Sequence, residues 1–208
     1  MLKNIKTIPA AGALLALLTA CGGTGDGTGD GRAAGGHDMT GSTQVATSTP
    51  ATTSASSAGF NDADVMFAQM MIPHHEQAVD MAELAEGRAS DQEIKDLAAK
   101  IKAAQDPEIR TMRGWLTAWG KPLPSGGMGH DMPGMMSAAD LRELESAQGE
   151  EFDRRFAELM IAHHEGAIEM ARTEQAQGAD PEAKELAKTI ETAQRAEVAQ
   201  LRAILDRL

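Results

Sequence analysis

Met71 and His75 stand four residues apart, as do Met160 and His164, and each of these histidines follows another, His74 or His163. On an α-helix a separation of four places two side chains one above the other on one face. A thioether and an imidazole so placed can converge on a single ion. With His74 as the reference direction, Phe67, Met70, Met71, Ala78 and Met81 fall in one stripe. His75 lies at its border, while Glu76 and Asp80 point away. Thioether sulfur combined with imidazole nitrogen selects soft or borderline ions, copper(I) first and silver(I) by the same logic. A structural zinc site would draw on cysteines, or on several histidines with carboxylates, and not on methionine.

Phe67, Met70 and Met81, taken singly, are ordinary core residues. Two adjacent imidazoles beside an apolar stripe are costly unless bonded, and here they occur twice. Met71/His75 and Met160/His164 are therefore the expected chelating pairs, with His74 and His163 as additional ligands. Met81 and Met170, two turns on, are further ones. Met70 with His74 would make another pair, but Leu159 takes the methionine's place beside His163. Additional candidate ligands are Met70, Met112 and the run Met128, His130, Met132, Met135 and Met136, read as an exposed methionine cluster in a Gly/Pro-rich connector. His37 and Met39 stand nearer the N-terminus. All six histidines lie within four residues of a methionine. The connector also reads as a plain linker with incidental methionines.

The elements that must position these residues are written twice. Residues 64–82 match residues 153–171 at a constant offset of 89, and the same offset carries Leu97 to Leu186, Ile101 to Ile190, Gln105 to Gln194 and Glu108 to Glu197. Two segments matching at one offset signal an internal repeat. Each copy reads as two helices, the first over residues 61–87 or 150–177. The second begins near Asp91 or Asp180 and runs to Trp119 or Leu208. Asp62 and Asp64 suit a helix start, Gly87 and Gly178 a stop, and Pro181 a first helical position. Leu97, Ile101, Ala104, Met112, Trp115 and Trp119 mark the apolar face of the second helix. Pro73, inside the first helix, removes a hydrogen bond and is expected to kink it, whereas its counterpart is Ala162. Two antiparallel hairpins make an all-α four-helix bundle with pseudo-two-fold symmetry.

The repeated M-I-x-H-H-x-x-A-[IV]-x-M-A block and the Met-rich connector resemble the domain-of-unknown-function 305 family. The resemblance covers residues 61–208. It implies a ferritin-like four-helix bundle and an association with extracytoplasmic copper binding and copper tolerance. The positions that match the family motif are Met71, His74, His75 and Met81, then Met160, His163, His164 and Met170. Leu159 in place of a methionine, and Pro73, depart from a strict repeat and imply unequal halves.

The N-terminus sets the compartment. Lys3 and Lys6 precede an apolar run that is too short to span a bilayer and ends in Leu18-Thr19-Ala20-Cys21. This reads as a lipoprotein signal peptide, residues 1–20, with Cys21 as the lipidated residue and sole cysteine of the 208. Thiolate chemistry and disulfides are then absent from the rest of the chain. Residues 21–59, rich in Gly, Ser and Thr, lack the apolar surface to fold and read as a tether of about 35 Å reach. Residues 60–208 form one domain: repeat one at 60–120, the Met/His-rich linker at 121–138, and repeat two at 139–208. The formal charge of −12, with 3% aromatics and no tyrosine, argues against nucleic acid as a partner. The expected partners are copper ions and, through the lipid on Cys21, a membrane.

Three functions are compatible with these residues. The first is copper(I) binding for sequestration, tolerance or relay, which needs no catalytic step. The second is a ferritin-like di-metal oxidase. Di-iron bundles use Glu-x-x-His pairs, and none occurs here, though Glu108 and Glu197 could supply carboxylates. The third is a helical interaction module in which the histidines hydrogen-bond to Asp64, Asp153, Gln105 or Gln194.

Overall fold

The computed structural model describes residues 59–125 and 132–208. The signal peptide, Cys21, His37 and Met39 of the tether, and Met128 and His130 of the linker lie outside the described residues. Helices α1 (Asp62–Arg88) and α2 (Gln92–Ala118) form one hairpin, and α4 (Gly149–Gln177) and α5 (Pro181–Leu205) the other. The result is a ferritin-like four-helix bundle of two repeated hairpins. α1 is continuous through Pro73. The hairpins meet chiefly along α1 and α4, and α2 and α5 touch much less.

One helix was not anticipated: α3 (Ala138–Ser146), which lies where linker gives way to repeat two. Its nine residues are too few for a clear apolar period. A capping box between Ser137 and Asp140 starts it, and Leu144 pins it by complete burial in the core. The stripe on α2 also needs correcting. Ala104 is exposed and Gln105 takes its buried place, while Leu116 is buried and Trp115 and Trp119 are only partly covered. Burial on α2 follows steps of four through Leu97, Ile101 and Gln105, and again from Met112 to Leu116. The two tryptophans instead stack with each other and with Phe60 outside the bundle core.

Each hairpin turn is held by the opposite hairpin. Asp64, in the first turn of α1, is fully buried and accepts from the Ala179 and Asp180 backbone amides at 2.9–3.1 Å. Its equivalent Asp153, in the first turn of α4, accepts from the Ser90 and Asp91 amides at 2.9–3.1 Å and from the Ser90 hydroxyl. Asp91 and Asp180 then cap α2 and α5 by accepting from the amides two and three residues on. The exchange is reciprocal, as a two-fold relation between the hairpins requires. The Glu76–Arg113 and Glu165–Arg202 ion pairs repeat that relation at the surface.

Removing either carboxylate strands buried N–H donors at the far hairpin's turn, which costs about 1–3 kcal/mol. Asp153→Ala and Asp64→Ala should each lower the unfolding free energy by about 2 kcal/mol in urea titrations. An exposed control such as Asp96→Ala should stay within about 0.5 kcal/mol.

Candidate metal centre

α1 and α4 run antiparallel and cross at His74 and His163, whose ring centroids are 3.8 Å apart. Because the helices are antiparallel, residues before His74 meet residues after His163, and the reverse. Met71 therefore shares a buried cluster with Met170, joined by Met112 from α2, while Met81 shares the other cluster with Met160. The imidazole pair lies on the α1/α4 seam between two methionine groups, each drawn from both repeats. Met71, His74, His75, Met81, Met160, His163, His164 and Met112 are fully buried, and Met170 is 8% exposed.

His75 lies inside the bundle rather than at its border. Its Nε2 is 2.8 Å from a carboxylate oxygen of Glu108 on α2. The equivalent His164 Nε2 is 2.7 Å from Glu197 on α5, close enough for an ion pair but too poorly aligned for a hydrogen bond. Glu108 and Glu197 are thus the partners of these histidines, in place of the expected Asp64, Asp153, Gln105 or Gln194. The two aspartates are occupied as caps, and the Oε1 atoms of the buried Gln105 and Gln194 have no partner. A carboxylate on Nε2 fixes the ring's orientation and leaves Nδ1 as the nitrogen free to bind, which is the usual outer support of a metal-bound histidine. The signal in the sequence was the preserved offset of Glu108 and Glu197, which did not reveal whom they touch.

Four imidazoles leave buried nitrogens without partners among the described residues: Nδ1 of His74, His75 and His164, and both nitrogens of His163. Burial holds His74 down to about 3, helped by the charge of His75, and His163 well below its ordinary value, helped by His74. These two rings are neutral bases with exposed lone pairs in a dry core, the state in which an imidazole binds a metal. Among the described residues no three His, Cys, Asp or Glu side chains form a group able to hold an ion. The soft donors buried on the same two helices are the thioethers of Met71, Met81, Met160 and Met170.

The linker closes one face of the crossing. The Pro133 carbonyl accepts from His74 Nε2 at 3.1 Å. Gly134 has φ +77°, and a Cβ there would lie 2.7 Å from the Ala162 carbonyl and 2.9 Å from that of His163. A Cβ on Gly166 would overlap the Pro133 carbonyl itself. Three residues on, the Gln77 side chain grips the Met136 backbone, accepting from its N–H at 2.7 Å and donating to its carbonyl at 3.0 Å. Gln77 and Gly166 occupy equivalent positions in the two repeats, and each serves to seat this strap. Of the expected exposed methionine cluster, Met132 is 9% exposed and Met136 packs against the core, so these two serve packing. Met135 is partly covered in the turn that its amide closes on Met132. Met70 is half-buried beside the Met71 cluster.

One further buried acid stands apart. Glu174 takes the place of Ala85 of repeat one, and burial with the neighbouring Asp64 raises its carboxyl to about 8. Burial also pulls Asp64 upward, but hydrogen bonds from Glu174 and the backbone amides outweigh it and leave Asp64 lowered. Gly178, where repeat one has Ala89, leaves room for the Glu174 carboxyl.

Two predictions follow for the metal-free protein. His74 and His163 stay neutral when folded, so below about pH 6.5 the unfolded chain binds protons that the fold refuses, and stability falls towards pH 3. Glu174 keeps its proton to about pH 8 in the fold and loses it near 4.5 when unfolded, so its stabilisation fades as pH rises between those values. Urea midpoints measured with a chelator present should peak near pH 6.5, and Glu174→Gln should flatten the decline above that pH and steepen the rise between pH 4.5 and 6.5. Gly166→Ala should cost about 1–3 kcal/mol through the clash with Pro133, measured by the same titration.

Known proteins share this fold. The family described as domain of unknown function (DUF305) matches residues 64–205. A DUF305 fragment from Deinococcus radiodurans is 34% identical with a TM-score of 0.66, covering 71% of this chain and 98% of its own. A DUF305 protein from Streptomyces coelicolor is 31% identical with a TM-score of 0.65, covering 70% and 93%. CopM in its Cu(I)-bound form is 36% identical with a TM-score of 0.60, covering 69% and 96%. CopM also has Cu(II)-bound, Ag-bound and apo structures. No curated protein matches. With its duplicated hairpins, paired histidines and a match spanning both repeats, this chain belongs to the DUF305 family.

Proposed function

We propose that this protein is an extracytoplasmic lipoprotein, anchored through Cys21, that binds copper(I), and silver(I) by the same donors, to sequester or relay the ion. The observation that carries the reading is the set of unpartnered imidazole nitrogens buried between methionine groups at the α1/α4 crossing. His74, His163, His75 and His164 would supply nitrogen. Met71, Met170, Met81 and Met160 would supply sulfur, a donor mixture suited to a soft ion. Glu108 and Glu197 would orient His75 and His164 from behind. The copper and silver forms of CopM, a relative matched over 96% of its own chain, support the choice of ion.

The oxidase alternative asks Glu108 and Glu197 to be metal ligands, yet each already stands against a histidine Nε2. Ion capture and release need no redox step, only exchange between thioether and imidazole donors.

The test is an anaerobic copper(I) titration of the full chain against a chromophoric chelator. The wild type should compete for the ion. His75→Gln with His164→Gln should weaken binding by about tenfold or more, as should Met71→Leu with Met160→Leu. Unchanged affinity in both double variants, with only a loss of thermal stability, would assign these side chains to packing and overturn the reading.

A further inference from the structure

Three of the positions at which the repeats differ place a thioether or a buried carboxyl on one cavity. Met66 stands where repeat two has Arg155, Met70 where it has Leu159, and Glu174 where repeat one has Ala85. All three line a cavity of about 410 Å³ between the start of α1 and the end of α4, together with Met170, Glu169 and Pro133.

Packing does not account for this lining. Met66 is 60% exposed, and only one other large apolar side chain among the described residues, Leu123, is comparably bare. A thioether on an open rim buries little area, so it gains little from the hydrophobic effect. Glu174 is the opposite case. It is 1% exposed, and no N–H or hydroxyl of the described residues reaches either carboxyl oxygen. Its neighbour is the Asp64 carboxylate, which accepts from backbone amides and from the Glu174 carboxyl only while that carboxyl keeps its proton. A buried carboxyl with no donor calls for a proton or a cation. Three thioethers around one cavity supply the preference for a soft monovalent cation, and the buried Glu174 carboxyl, which gives up its proton as the ion enters, supplies charge beside Asp62 and Glu169 on the same wall.

The cavity also adjoins the buried centre. Met170 lines the cavity and belongs to the Met71 cluster, and Pro133, on the same wall, holds His74 through its carbonyl. An ion resting on Met66 and Met70 at the rim would reach the imidazole pair by exchanging one thioether at a time through Met170.

We propose that this cavity is a second, solvent-facing site for a soft monovalent cation, held by Met66, Met70 and Met170 with Glu174, which loads the His74/His163 centre. The choice of ion rests on the function proposed above. The repeat-two end, with Arg155, Leu159 and Ala85 at the equivalent positions, lacks such a site, so loading is one-sided.

The test follows the methionine methyl signals of the full chain, labelled with ¹³C-methyl methionine, as silver(I) is added. The wild type, Met66→Leu/Met70→Leu and His74→Gln/His163→Gln proteins are compared. Methionine-to-leucine changes conserve volume, and circular dichroism verifies that each variant is folded. The proposal expects Met66, Met70 and Met170 signals to shift in the wild type and still to shift when the two histidines are replaced. In Met66→Leu/Met70→Leu, silver stoichiometry should fall by one equivalent and the Met71 and Met160 signals should respond more slowly. If Met71 and Met160 shift while Met66 and Met70 stay fixed, this site is wrong and the buried centre stands. If Met66 and Met70 shift and Met71 and Met160 do not, the buried centre fails and this site stands. No shift in any of them overturns both.

Discussion

Two neutral imidazoles, fully buried with their rings 3.8 Å apart, are the constraint that the surrounding structure has to satisfy. Polar rings in a core cost several kcal/mol when their nitrogens find no partner. To bring them so close, α1 and α4 must approach tightly, and the seam is lined with buried small residues: Ala68, Ala78 and Ala82 on one helix, Ala157, Ala167, Ala171 and Gly166 on the other. The same closeness brings each helix start to the far hairpin's turn, where Asp64 and Asp153 exchange caps. One partner is supplied to His74 by the linker, through the Pro133 carbonyl. The remaining nitrogens keep their lone pairs, which explains why the hydrogen-bonding is incomplete here and nearly complete at the turns.

The pseudo-two-fold axis passes near this pair, so every departure from symmetry has a side. A linker connecting two related halves can cross only one face of the axis, and the residues that meet it cannot stay equivalent. Gln77 became a clamp on the Met136 backbone and Gly166 a gap for Pro133, though they occupy the same position in the repeat. A second pair of departures is coupled by volume. Glu174 with Gly178 replaces Ala85 with Ala89, the larger side chain at one position answered by the missing Cβ at the other.

Much of this was legible in the sequence. The offset of 89 located both hairpins to within a few residues, and the spacing of Met and His marked α1 and α4 and their inward face. What escaped were relations between elements. Periodicity says that Glu108 and Glu197 recur, but only the packing of α2 on α1 and α5 on α4 says that they meet His75 and His164. An apolar periodicity marks Ala104 as the buried residue of α2, whereas the polar Gln105, which the sequence offers only as a hydrogen-bond partner, takes that place. Glycine and proline mark the linker as a loop and so as exposed; in the structure Gly134 lets the backbone lie close against α4, and Met132 beside it is buried. α3 has only nine residues and one buried leucine, too little for a periodic signal.

The depth of the imidazole pair has a consequence for exchange. A ligand that binds the folded state alone stabilises it in proportion to its affinity, so an ion on these nitrogens would offset the cost of leaving them unpaired. The same burial opposes speed, because donors with no exposed surface can trade an ion only if the bundle opens or an intermediate donor lies on the way. Storage tolerates slow opening; relay does not. A route of graded exposure, from Met66 on the rim through half-buried Met70 to Met170 against the core, removes the need for the helices to part. On the reading proposed here, asymmetry between the repeats thus has a physical use: the symmetric residues build a deep centre, and the unsymmetric ones give it a single accessible side.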